Sequence, residues 1–219
     1  MDIDDRSLTI AHVELAWLAS EWPAGHEADR WLVGPTADPA DRAQNERRHE
    51  LLHERHHLLR EIPVGASIRR VRLERADIPS LFIVPDASWY LDTGGSFSLV
   101  SAPNHVRLGR RPQDSQLRVN HGERIAAFRT HLARHPHDAG DLILLSAGGA
   151  RHTILDGNHR AVAMLQLDVV RLSAIPWSAI LISSPEMTGV RLHIESDAAQ
   201  AAIDTWRAWA EQGLLDEPT

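Results

Sequence analysis

Residues 152–167, HTILDGNHRAVAMLQL, change their hydrophobic period partway along. The first part is a short apolar run that stops at Asp156. The second, from about His159, spaces small and apolar residues as a buried helix does. Gly157-Asn158 between them is a tight-turn pair. A chain that must bury such a strand and then reverse into an apolar helix needs a sheet with helices packed on it. With the strands and helices read along the rest of the chain, this places the fold in the α/β or α+β classes.

The same turn carries the strongest chemistry in the sequence. A helix that starts at about His159 leaves backbone N–H groups free at its N-terminus, where the partial positive charge favours an anion. Arg160 in the first helical turn adds a guanidinium fork suited to phosphate. His159 can donate to phosphate or shuttle a proton near neutral pH. Asp156 can orient either side chain or hold a divalent cation. The plainer alternative is an ordinary Asp-Gly-Asn turn in which Asp156 caps the helix.

Around this segment, residues 1 to about 62 read as helical. Leu8–Ser20 has helical spacing, and a second helix, beginning at Asp38-Pro39 as N-cap and first turn, runs to Ile62. Pro63 and Gly65 break the pattern, so the expected division is 1–63, an N-terminal helical region, and 64–219, the domain that carries the turn. Strands are expected at SIRRVRLER, SLFIV, FSLV, DLILLS and RHTILD, with one or two more in VVRLSAIPWSAILIS and another at VRLHIE. Helices are expected from Glu123 to His135 and from Ser196 to Gly213. The stretch from Pro103 to Arg118 reads as a loop. Asp92-Thr93-Gly94-Gly95 and Gly148-Gly149 read as hairpin turns.

Composition removes several classes. All 23 basic residues are arginine. A Walker A loop, a protein-kinase fold and a pyridoxal Schiff base each need a lysine. There is no cysteine, hence no thiol chemistry. The formal net charge of -7 argues against a duplex-binding surface. The acidic, amphipathic N-terminus lacks the features of a signal peptide, and no apolar run is long enough to span a bilayer. A cytoplasmic protein without a membrane partner is the expectation.

Three further groups of residues carry chemistry. His49, His53 and His57 share one helix face at i, i+4 spacing, with His56 beside them, which can clip a metal. A solvated face is the expected reading. Arg107, Arg110, Arg111 and Arg118 form either an exposed loop or an anion-binding one, with Arg110 and Arg111 as extra phosphate clamps. Trp206 and Trp209 on the terminal helix pack on the domain or on a second copy, which makes a homodimer an expected partner arrangement.

ILDGNHRAVAM resembles the signature of the ParB/sulfiredoxin superfamily, in which a strand runs into a G-x-x-R turn and a helix. ERIAAFRTHLARHPHDAGDLILLS and LDVVRLSAIPWSAILI resemble the flanking elements, so the likeness spans roughly residues 100–183. It implies a mixed sheet with helices. Sulfiredoxins use a cysteine where Asn158 stands, so their activity is ruled out. Chromosome-partitioning ParB proteins bind CTP and carry a helix-turn-helix after the turn. Here the tail carries Asp197, Asp204, Glu211, Asp216 and Glu217 against Arg207.

The D-G-x-H-R spelling is most similar to the free-serine kinases of the superfamily, which phosphorylate a small hydroxyl substrate with ATP or ADP. This resemblance implies a nucleotide-dependent phosphotransferase using ATP, or another nucleotide, and Mg²⁺. It puts Gly157, Asn158, His159 and Arg160 on phosphates, Asp156 at the metal, and Glu123, within Asn120-His121-Gly122-Glu123-Arg124, as the base. A plainer role for Glu123 is to favour the helix dipole. Two alternatives stay open: a non-enzymatic nucleotide-binding switch or DNA-associated protein, and a metal-dependent nuclease.

Overall fold

Leu142–Ser146 (β4) is buried at every position, as expected of a central strand covered on both faces. In the computed structural model, which describes residues 2–21, 31–55, 59, 62–85, 89, 91–93, 96–105, 121–187 and parts of 200–212, β4 lies within one six-stranded sheet. The other strands are β1 (Asp2–Ser7), β2 (Ser67–Arg72), β3 (Leu81–Ile83), β5 (His152–Asp156) and β6 (Ser178–Ser183). Their order is β1-β2-β6-β4-β5-β3. β4 runs parallel to β6 and β3 parallel to β5, while the other pairs are antiparallel. The fold is therefore a mixed-sheet α+β arrangement.

The helices are α1 (Ile10–Glu21), α2 (Arg42–Arg55), α3 (Ala102–His105), α4 (His121–Leu132), α5 (Asn158–Leu165) and α6 (Val169–Ala174). Alternation along β4 divides the core. Leu142 and Leu144 join Ile125 and Leu132 of α4 and Ala161–Met164 of α5. Ile143 and Leu145 join Val13, Trp17 and Leu18 of α1 and Leu52 of α2. Successive side chains of a strand point to opposite faces, so one strand serves both cores. The result is three layers, with α1 and α2 on one face and α4 and α5 on the other.

Several expectations change at this point. The N-terminus is not helical throughout. Residues 2–7 form an edge strand antiparallel to β2, and the charges of DIDDRS suit an edge that must not recruit another strand. The break expected near residue 63 thus falls within a chain whose two sides share one sheet. α2 starts later than Asp38-Pro39. Asp41 Oδ1 accepts from the Gln44 amide at 3.0 Å and is the cap, while Asp38 closes the preceding turn by accepting from the Ala40 amide at 2.8 Å. VVRLSA, expected as strand, is α6, because Asp168 Oδ1 caps it through the Arg171 amide at 2.9 Å. Leu91–Thr93 is a 3₁₀ turn rather than a hairpin. The start of the loop expected from Pro103 to Arg118 belongs instead to α3 (Ala102–His105). Gly148-Gly149 does join the antiparallel pair β4–β5.

His49 is not simply solvated. Its Nδ1 lies 2.7 Å from Oε1 of Glu14, a buried carboxyl on α1 that desolvation pushes above its ordinary pKa. Arg110, Arg111, Arg107, Arg118, Gly94, Gly95, His56, His57, the segment 190–195, Trp206 and Trp209 lie outside the described residues. Among the described residues, no helix is long and apolar enough to cross a membrane.

Candidate functional site

The expected turn sits where β5 meets α5. Asp156 closes β5, paired with Ile143 of β4. Gly157 follows in the left-handed region at φ 95°. A Cβ there would lie 2.5 Å from Leu142 Cδ2 and 3.0 Å from Arg160 Nη2, so only glycine fits.

One helical turn beyond Asp156, the Arg160 side chain folds back over this glycine. Nη1 donates to the Ala139 carbonyl at 2.8 Å. Nη2 donates to the Asp141 carbonyl at 3.1 Å and to Asp156 Oδ2 at 3.0 Å. Asp156 Oδ2 accepts a second bond from Ser20 Oγ, at 2.7 Å, from the end of α1. Four pieces of chain therefore meet at one ion pair whose arginine is 8% exposed and whose aspartate is 20% exposed. Three of the guanidinium donors expected to meet phosphate are engaged by protein oxygens.

The other half of the turn looks elsewhere. His159 Nε2 lies 2.7 Å from His121 Nδ1 at the start of α4. The Trp89 ring centroid is 4.0 Å from that of His121 and 5.0 Å from that of His159. Burial, then the neighbouring His121 and Arg124 charges, push His159 down to about 3. At neutral pH it is an uncharged imidazole sharing one proton with its neighbour, outside the range for the proton shuttling expected of it. Asn158 is buried, and its Oδ1 has no hydrogen-bond partner among the described residues. Glu123 is exposed in the first turn of α4, where a carboxylate favours the helix dipole.

A cavity of about 730 Å³ opens between α1 and α4 and reaches Arg160. Its polar side carries Arg70 of β2, Arg124 and His131 of α4, His12 and Ser20 of α1, and Asp138 and Asp141. Arg70 holds Asp141 Oδ2 through Nε at 3.1 Å and Nη2 at 2.8 Å. Its apolar side is Leu15, Ala16, Ala19, Val33 and Phe128. Glu123 is not among the lining residues, although its neighbour Arg124 is. Arg70, Arg124, Asp141 and Ser20 were not singled out from the sequence. They come from separate elements and converge only once the sheet is assembled. The one local sign was SIRRVR, whose alternation puts Arg70 on the face opposite Val71.

The cavity's donor set fits an anion carrying an apolar or flat body, a description that includes nucleotides. The residues present do not fit a protein-built Mg²⁺ site. Asp156 Oδ2 is held by a hydroxyl and a guanidinium, and no group of three His, Asp or Glu side chains suited to a metal occurs among the described residues. No family model, curated protein or solved structure matches this chain.

Proposed function

We propose that the protein is a nucleotide-dependent phosphotransferase acting on a small hydroxyl-bearing substrate, with the nucleotide seated in the α1–α4 cavity. The observation that carries this reading is the cavity itself: a space of about 730 Å³ ending on Arg160, with Arg70 and Arg124 on its wall. The resemblance of the D-G-x-H-R spelling to the free-serine kinases supplies the reaction class. In this arrangement Arg124 and Arg70 meet the phosphates, and Arg160 fixes the floor on which they rest. The apolar wall of Leu15, Val33 and Phe128 takes the base. Phosphoryl transfer depends chiefly on positioning and on neutralising charge at the transferred group, which rigid arginines supply.

Titration calorimetry of the purified chain with ATP, GTP and CTP tests the binding step. Arg124→Ala should weaken binding by about tenfold or more, the contribution of one charge-assisted contact, without loss of folding. Release of nucleoside diphosphate in the presence of a panel of small alcohols and hydroxy amino acids tests the transfer. Absence of binding by any of the three nucleotides would overturn the reading. Binding with no turnover on any acceptor would favour the switch alternative.

A further inference from the structure

The Ser20–Asp156 contact joins the cavity wall to the charged corner behind it. Ser20 lines the cavity. Its Oγ lies 2.7 Å from Asp156 Oδ2 and 2.8 Å from the Trp17 carbonyl, so one hydroxyl proton has two acceptors. The carboxylate is the stronger of the two, because hydrogen bonds to charged acceptors are roughly twice as strong as neutral ones. The same carboxylate accepts from Arg160, which also lines the cavity and is itself fixed by the carbonyls of Ala139 and Asp141. Hydroxyl, carboxylate and locked guanidinium are thus linked in that order. That is a nucleophile, a base, and a group that orients the base, each within hydrogen-bond reach of the next. A serine needed only to tie α1 to the sheet would not have to face a ligand-sized space.

We infer that Ser20 is a phosphoryl-acceptor residue and that Asp156 takes its proton. The inference rests on the nucleotide reading above and names the first acceptor of the transferred group. Ser20 Oγ attacks the terminal phosphorus of a nucleoside triphosphate in the cavity. The Oγ–P bond forms and the bond from that phosphorus to its bridging oxygen breaks. The nucleoside diphosphate leaves with the electron pair, and the Oγ proton passes to Asp156 Oδ2. Arg160 limits the motion of the carboxylate, and Arg124 and Arg70 face the transferred charge.

The test incubates the full chain with ATP and Mg²⁺, follows intact mass, and maps any added phosphoryl group by fragmentation. Nucleotide binding is measured in parallel. The expected result is one phosphoryl group on Ser20. Ser20→Ala should abolish it. Asp156→Asn should slow labelling on the order of a hundredfold or more, the usual contribution of a general base. Ser20→Thr keeps the hydroxyl and should retain labelling, which separates loss of the hydroxyl from a folding defect in Ser20→Ala. Nucleotide binding with no label on Ser20, or with the label on another residue, overturns this inference and leaves the binding reading standing. Loss of nucleotide binding in the wild-type chain overturns both.

Discussion

Asp156 and Arg160 lie on one side of the turn, Asn158 and His159 on the other, and the two sides rest on different physics. The first is ionic: a buried guanidinium places three donors on two carbonyls and a carboxylate, and a serine hydroxyl donates to the same carboxylate. The second is aromatic, two imidazoles packed against Trp89, of which His159 is uncharged at neutral pH, with the Asn158 amide oxygen lacking a partner among the described residues. Asp156 ends β5, whereas Asn158, His159 and Arg160 open α5, where consecutive residues diverge by about 100°. A five-residue motif is thereby divided between two environments. The ionic side borders the cavity and holds the corner's shape; the aromatic side closes α4 onto α5.

The largest expected difference between the sides is in stability. Arg160→Ala leaves Asp156 charged in a mostly buried place and frees two carbonyls, which should cost about 3–5 kcal/mol. Arg160→Lys should recover only part of this, because a point ammonium cannot reach three acceptors in the guanidinium's plane. Urea unfolding of the wild type and both variants measures it. A loss below about 1 kcal/mol for the alanine variant would mean that the pair behaves as an ordinary surface salt bridge, and the contrast between the sides would disappear.

The aromatic side should show itself in acid. His159 is held at about 3, against an ordinary value of 6.5. Below pH 6.5 the unfolded chain takes up a proton there and the folded chain does not. Stability from this group is complete above 6.5 and declines as the pH falls towards 3. The slope approaches about 1.4 kcal/mol per pH unit, so on the order of 2 kcal/mol is lost between pH 6.5 and about 5. His159→Gln should flatten that part of the stability–pH curve. If wild type and variant fall in parallel, the histidine is not the source and the imidazole pair is more exposed to water than its packing implies.

Much of this fold was legible in the sequence, for reasons that differ by segment. LILLS and HTILD read as strands because each is a short apolar run bounded by turn residues. RAVAMLQL read as a helix from its spacing. The misreadings have causes of the same kind. DIDDRS carries almost no apolar residue, so its place in the sheet comes from pairing with β2 and not from its own pattern. VVRLSA opens with two β-branched residues, but the Asp168 cap outweighs their weak strand preference. At the site, the sequence located the corner and the need for glycine, but not where each side chain of the turn would point. Arg160 finds its acceptors in the carbonyls of Ala139 and Asp141, and a carbonyl has no signature in a sequence. The cavity draws on α1, β2 and α4, so its arginines come together only through tertiary packing.

The smallest expected effect separates the sides most finely. Asn158 sits one residue from His159 and two from Arg160, is 8% exposed, and has an Oδ1 that accepts no hydrogen bond among the described residues. A buried acceptor without a partner carries a penalty of about 1–3 kcal/mol. Asn158→Ala removes that penalty and gains helix propensity, while leaving a small gap where the amide stood. These terms oppose one another, so the net change should stay within about 1 kcal/mol of zero, although the residue is as buried as Arg160. Thermal and urea unfolding of Asn158→Ala beside Arg160→Ala checks this directly. A cost above about 2 kcal/mol would show that the amide is bound in solution, through an ordered water for instance. Burial alone would then account for the sensitivity of both sides, without the difference in partnering.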